Sequence, residues 1–136
     1  MAGAQPASAS TGIMSTTVYL KDMNFSYGGV VRAELHNVKA VFTKDTTDPS
    51  FHEVTISGQL KDASTDGYCA KTRFLGDNSW KVFEECNGSW KTVSYSLYQS
   101  AAGDRSEIIV YREPAGDFTY SGGPQVYQAV YPPAGY

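Results

Sequence analysis

Two cysteines, Cys69 and Cys86, are the residues whose chemistry can be argued furthest from type and spacing alone. Neither sits in a Cys-x-x-Cys motif, and the two histidines, His36 and His52, lie too far away in sequence to complete a zinc ligand set. The pair therefore forms a disulfide or packs as two reduced thiols behaving as small apolar groups. Carboxylates occur together at Glu84-Glu85 and at Asp45 and Asp48. Neighbours on a strand point to opposite faces, and loop aspartates mostly bond their own backbone. A glycosidase-type pair stands only if folding brings two such groups to one cleft. Asp62 and Asp66, with Gly67, offer oxygen ligands for Ca²⁺ but lack the alternating acidic spacing of a strong calcium loop. His36 and His52 read as solvated strand residues rather than ligands or bases. The motifs G-x-S-x-G and H-E-x-x-H and a phosphate-cradling Gly loop do not occur. No catalytic residue, metal or cofactor is expected. Asn24-Phe25-Ser26 and Asn87-Gly88-Ser89 match the glycosylation pattern, the second doubling as a turn signal.

The elements that position these residues follow from composition. The chain has 136 residues, 41% hydrophobic and 13% aromatic, enough for one compact domain with a core. A net charge of −3 has the wrong sign for gripping phosphate backbones, so no nucleic-acid partner is expected. No run nears the roughly 18 apolar residues of a membrane span, and no basic helical stripe suggests a membrane surface. A soluble chain without a membrane partner is the expectation. Tyr, Thr, Val and Ser are abundant, and 13 Gly and 6 Pro punctuate the chain at short intervals. The fold class is all-β, a small antiparallel β-sandwich of about seven to eight strands with one intradomain disulfide.

Residues 1–14 have no apolar period and read as a flexible N-terminal arm, followed by the sandwich over 15–116 and a Tyr/Pro/Gly-rich strand or arm over 117–136. Ala7-Ser8-Ala9 has the small-residue form of a signal cleavage site, without the basic and apolar regions before it. A trimmed signal and a polar tail are equal readings. Thr16 to Met23 reads as one strand. Over Val30 to Thr43 the inward set Val31, Ala33, Leu35 restarts as Val38, Ala40, Phe42 after a step of three. Either a β-bulge at His36-Asn37 or a turn between two shorter strands accounts for that step. After a polar loop, 44–50, the segment from His52 to Lys61 puts Val54, Ile56 and Leu60 on one face. Ser106 to Glu113, with its run Ile108 to Tyr111, suits a strand buried on both faces or at an arm contact. The tail ends as a last strand around Tyr127 to Tyr131 or as an arm on a neighbour.

Two turn signals define a meander. Asp77-Asn78 joins 68–76 to 79–86, and Asn87-Gly88 joins the latter to 89–98. The first turn sets Leu75 opposite Trp80, Arg73 opposite Val82, Lys71 opposite Glu84 and Cys69 opposite Cys86. Two cysteines so placed are within disulfide reach. Such bridges persist mainly outside the cytosol, so an extracellular, secreted protein is expected. The second turn pairs Trp80 with Tyr95, Val82 with Val93 and Glu84 with Lys91, giving a row Lys71, Glu84, Lys91. Because Val93, Tyr95 and Leu97 alternate with polar residues, their face is read as buried, together with Leu75, Trp80, Val82 and the disulfide. The other face is left carrying Tyr68, Phe74, Phe83 and Trp90 beside Lys81. It is a contact stripe if exposed, and a second small core if another strand or an arm covers it.

At DGYCAKTRF, followed by a Trp and a second Cys within twenty positions, the sequence resembles a group of small secreted actinobacterial proteins sharing the pattern TISGQLKD, TDGYCAKTRF, W and C. The likeness covers about the middle third of the chain. It implies secretion and a β-sandwich, with no activity attached. The missing signal sequence and the Tyr-rich tail depart from it.

Three function classes follow. The first is a secreted, non-catalytic binding module in which Tyr68, Phe74, Lys81, Phe83 and Trp90 contact a protein or stack on sugar rings. The second is a structural subunit of an extracellular or virion assembly, a homo-oligomer interlocked through its terminal arms. The third is a small hydrolase or enzyme inhibitor acting through the loop Asp45 to Ser50, for which no residue argues.

Overall fold

The computed structural model describes residues 3–4, 8–9, 12–77, 79–99, 104–119 and 122–136. Ala7 of the cleavage-site reading and Asn78 of the first turn lie outside the described residues. The fold is all-β, in two antiparallel sheets: β1 (Gly3–Ala4), β2 (Ser8–Ala9), β3 (Ile13–Tyr19), β4 (Met23–Tyr27), β5 (Val30–Asp45), β6 (Asp48–Asp62) and β9 (Lys91–Gln99) in one; β7 (Cys69–Leu75), β8 (Trp80–Glu85), β10 (Ser106–Glu113) and β11 (Val126–Val130) in the other. No helix of the described residues is long and apolar enough to cross a membrane.

The first sheet runs β1-β3-β5-β6-β9, with β2 also on β3 and β4 also on β5; the second runs β11-β10-β7-β8. Alternation supplies the layer between them. Leu35, Phe42, Val54, Ile56, Leu60 and Leu97 of the first sheet meet Phe74, Ile108, Val110 and Val130 of the second, all fully or nearly fully buried. Side chains of the same strands at intervening positions point outward.

The step of three in β5 is a bulge. Asn37 has φ 54°, and the pairing with β6 shifts between His36 and Lys39, so Leu35 and Val38 both face the core. Asp22 Oδ1 accepts the Asn37 backbone N–H at 3.0 Å, and the Asn37 amide donates to Gln59 Oε1 at 2.7 Å. The strand expected over 16–23 is two strands, because the chain is interrupted opposite this bulge: β3 pairs with residues 39–45 and β4 with residues 30–35. Val31, placed inward by the sequence pattern, is exposed beyond the end of the sheet overlap. The expected loop 44–50 contracts to a tight turn. Asp45 Oδ1 accepts both the backbone N–H (2.8 Å) and the hydroxyl (2.6 Å) of Thr47, so β5 and β6 extend almost to each other.

The β7–β8 register is the expected one, with Leu75 opposite Trp80, Arg73 opposite Val82 and Lys71 opposite Glu84. Cys69 and Cys86 are bonded, their Cα atoms 4.5 Å apart. The second hairpin of the meander does not form. β9 pairs with β6 in the other sheet, setting Tyr95 against Ile56 and Val93 against Gly58. The chain crosses between layers at 86–90 because Glu85 diverts it: Oε2 accepts the N–H of Asn87 (2.6 Å) and Oε1 those of Gly88 (3.1 Å) and Asp62 (2.7 Å). One buried carboxylate thus ties both crossovers, 63–68 and 86–90, at one end of the sandwich. Lys91 still reaches Glu84, but through its backbone carbonyl, at 3.0 Å.

β10 is buried on both faces over Ile108 to Tyr111, as its apolar run suggests, and it pairs with β7 on one side and β11 on the other. The tail supplies β11 on β10 of its own chain, and Tyr136 returns to pack on Phe42. Gly3–Ala4 and Ser8–Ala9 of the expected N-terminal arm pair with β3.

Candidate functional site

The change of partner for β9 reverses the faces of the β7–β8 hairpin. With the second sheet lying over the first, Ala70, Thr72 and Phe74 point into the core, while Lys71, Arg73 and Leu75 point out. Phe74, expected on the exposed stripe, is fully buried, and Phe83 is half-buried against it with ring centroids 5.6 Å apart. Trp80, expected inside, is 53% exposed. Lys81 is exposed, its ammonium 5.9 Å from the Phe83 ring. Phe74, Phe83 and Trp90 are therefore no exposed row.

Tyr68 and Trp90 do lie at the surface, in two separate clusters at the crossover end. The Arg112 guanidinium is sandwiched between Tyr27 and Tyr68, at 4.3 and 4.4 Å, and bonds Asp66 at 2.7 Å. Arg32 approaches the same carboxylate at 3.6 Å. Burial works to raise the Asp66 pKa, and the Arg112 hydrogen bond, the Tyr68 N–H and the Arg112 charge outweigh it, holding the group ionised below its ordinary value. Asp66 is thus committed to two arginines. Asp62 shifts the other way, raised by burial and by the charges of Asp66 and Glu85. Asp62, Asp66 and Tyr68 border a hollow of about 610 Å³ that is also lined by the disulfide. Trp90 packs on His36, ring centroids 4.9 Å apart, with Lys61 5.4 Å from its ring. His36 also bonds Asn24 at 2.8 Å, and His52 sits against Tyr136, so both histidines are packed rather than freely solvated.

The other chemical candidates resolve locally. Glu84 and Glu85 point apart, as adjacent strand residues must. Glu84 pairs at 2.5 Å with Lys71, which is wholly buried under Phe118 and donates to the Asp117 carbonyl at 2.8 Å. That Lys71 hydrogen bond holds the Glu84 pKa low. Cys69, Glu84 and Cys86 have the mutual spacing of a metal ligand set, but the two sulfurs are bonded to each other. Asp45 and Asp48 are turn formers, Asp48 accepting the Ser50 N–H at 3.1 Å.

The outer face of β11-β10-β7-β8 gathers what the sequence reading missed. Register places Tyr127, Ile109, Arg73 and Val82 in one cross-strand row and Ala129, Glu107, Leu75 and Trp80 in the next. Ile109 and Val82 form a buried floor, while Trp80, Tyr127 and Tyr131 stand out at 53%, 67% and 63% exposure. Four strands at roughly 4.8 Å spacing put Tyr127 about 14 Å from Val82 across the face. The Arg73 guanidinium lies 4.5 Å from the Trp80 ring centroid. Arg105 hydrogen-bonds Tyr131 and pairs with Glu107 at 3.3 Å, and these contacts push its pKa further up. Aromatic rings, an apolar floor and two arginines occupy one sheet face. The signal was present in the alternation of Trp80 with Val82 and of Tyr127 with Ala129 and Tyr131, but only the layer order says which way it points.

Compared with protein-family models, curated proteins and solved structures, the chain matches none.

Proposed function

We propose that the protein is a non-catalytic binding module, secreted into an oxidising environment, that takes a protein partner on the outer face of β11-β10-β7-β8. The observation that carries the reading is the exposed Trp80, braced by Arg73 above the apolar floor of Val82 and Ile109. Trp, Tyr and Arg are the residues that concentrate binding energy at protein interfaces: the two aromatics bury large areas at low rotamer cost and keep a polar handle, and Arg adds a planar fork of donors. The Cys69–Cys86 bridge supports action outside the cytosol.

The test uses the wild type, Trp80→Ala/Tyr127→Ala and Trp90→Ala as baits on one extracellular protein fraction, with circular dichroism to verify folding. A partner retained by the wild type and by Trp90→Ala, and lost from the double variant, is the expected result. Retention by the double variant, or dependence on Trp90 alone, overturns the reading.

A further inference from the structure

The segment 131–136 leaves β11 at the end of the sandwich away from the two crossovers and passes to the first sheet, where Tyr136 enters a built site. Its ring meets Phe42 edge-on at 5.0 Å and His52 at 4.9 Å between centroids. Its hydroxyl donates to Gln99 Oε1 at 2.7 Å. Gln99 is itself 1% exposed, and its amide nitrogen is spent on Asp104 O and Ser106 Oγ at 2.9 and 3.3 Å. A buried amide carbonyl at the base of two aromatic walls selects a phenol: the walls take the ring, and the acceptor discriminates hydroxyl from hydrogen.

The rest of the segment is lightly held. Tyr131, Ala134 and Gly135 are exposed; among the described residues Arg105 bonds Tyr131, and Lys44 Nζ donates to the Gly135 carbonyl. Tyr136 is partly buried against the core, and surface hollows of about 220 and 330 Å³ lie beside it, so its site opens to solvent. Residues 131–135, roughly 17 Å when extended, are long enough to deliver the ring to a neighbouring molecule instead. We propose that the pocket of Phe42, His52 and Gln99 is a tyrosyl-binding site that accepts Tyr136 from a second copy of this chain, so that copies link by exchanging segment 131–136. The pocket of Phe42, His52 and Gln99 shares no residue with the outer face proposed above, although the exchanged segment carries Tyr131 of that face; the peptide titration reads the pocket alone. Exchange replaces each contact by an identical one, so its cost is low.

Two full-length variants test it. Tyr136→Ala vacates the site and keeps the acceptor; Gln99→Leu spoils the site and keeps the donor. Sedimentation of each alone and of their mixture is expected to show monomers alone and a heterodimer on mixing. No heterodimer overturns the exchange. Independently, an amidated peptide of residues 131–136 is titrated into Tyr136→Ala and into the wild type. It is expected to bind Tyr136→Ala at least tenfold more tightly than the wild type, whose site is filled. A peptide ending in Phe is expected to lose about tenfold for want of the buried hydrogen bond. Equal affinity for the two proteins, or for the two peptides, overturns the site. Should Tyr136→Ala fail to fold, Tyr136→Phe replaces it in the titration. Tighter peptide binding than to the wild type is again expected, and equal affinity overturns the site.

Discussion

Arg73 and Trp80 lie on adjacent strands one diagonal apart, and the guanidinium covers one face of the indole at 4.5 Å from its centroid. The contact braces the indole on one side and leaves the residue 53% exposed. A ring already held in place loses little entropy when a partner covers it, which is why a braced aromatic makes a better anchor than a free one. Arg73→Ala is expected to weaken partner binding several-fold while shifting the melting temperature little, as read by calorimetric titration and thermal denaturation.

Phe74 tests the reversal of faces. If it were on a contact stripe, Phe74→Ser would abolish binding in a stable domain. Buried as it is, the substitution is expected to cost about 3–5 kcal/mol of stability, measured by denaturant unfolding, with Trp80→Ser costing far less.

Cys69 and Cys86 close a ring with a sequence separation of 17 residues. Reduction, or the double change to Ala, is expected to remove about 3 kcal/mol and lower the melting temperature by roughly 10 °C. Melts with and without a phosphine reductant check this.

The bulge residue Asn37, at φ 54°, discriminates between substitutions. Asn37→Val is expected to cost about 1–2 kcal/mol because a β-branched residue resists the left-handed region, and Asn37→Gly much less. Urea unfolding of the two variants gives the comparison.

Acid stability follows from carboxylates held low. Glu84, bonded by Lys71, and Asp66, bonded by Arg112 and Tyr68 against the effect of its burial, have folded pKa values below the ordinary 4.5 and 3.8. Their stabilisation is complete above those ordinary values and is lost as pH falls through the lower folded ones. Asp62, raised by burial, acts in the opposite sense. Stability is therefore expected to fall as pH drops below about 4. Glu84→Gln is expected to flatten that limb, measured as melting temperature against pH.

Where the sequence was legible, the information was local. The turn after Gly76 fixes one hairpin, so the pairings of Arg73 with Val82 and Cys69 with Cys86 follow by counting. The bulge at Asn37 is written in the phase of Leu35 and Val38, which must share a core. Asn87-Gly88 is the stronger turn signal of the two, yet its N–H groups go to the Glu85 carboxylate rather than across a hairpin. Nothing in the spacing distinguishes a turn within a sheet from a passage between sheets. That one choice decides whether Val93 and Val82 share a strand pair or belong to different layers, and it turned the aromatic face inside out.

Photo-crosslinking tests the central claim most directly. A benzoylphenylalanine placed at Trp80 or Tyr127 is expected to give an adduct with one common protein partner, identified by mass spectrometry, while the same group at Trp90 gives none. Adducts formed from position 90 but not from 80 and 127, or the same adduct from all three, would contradict the assignment of the outer sheet face as the contact surface.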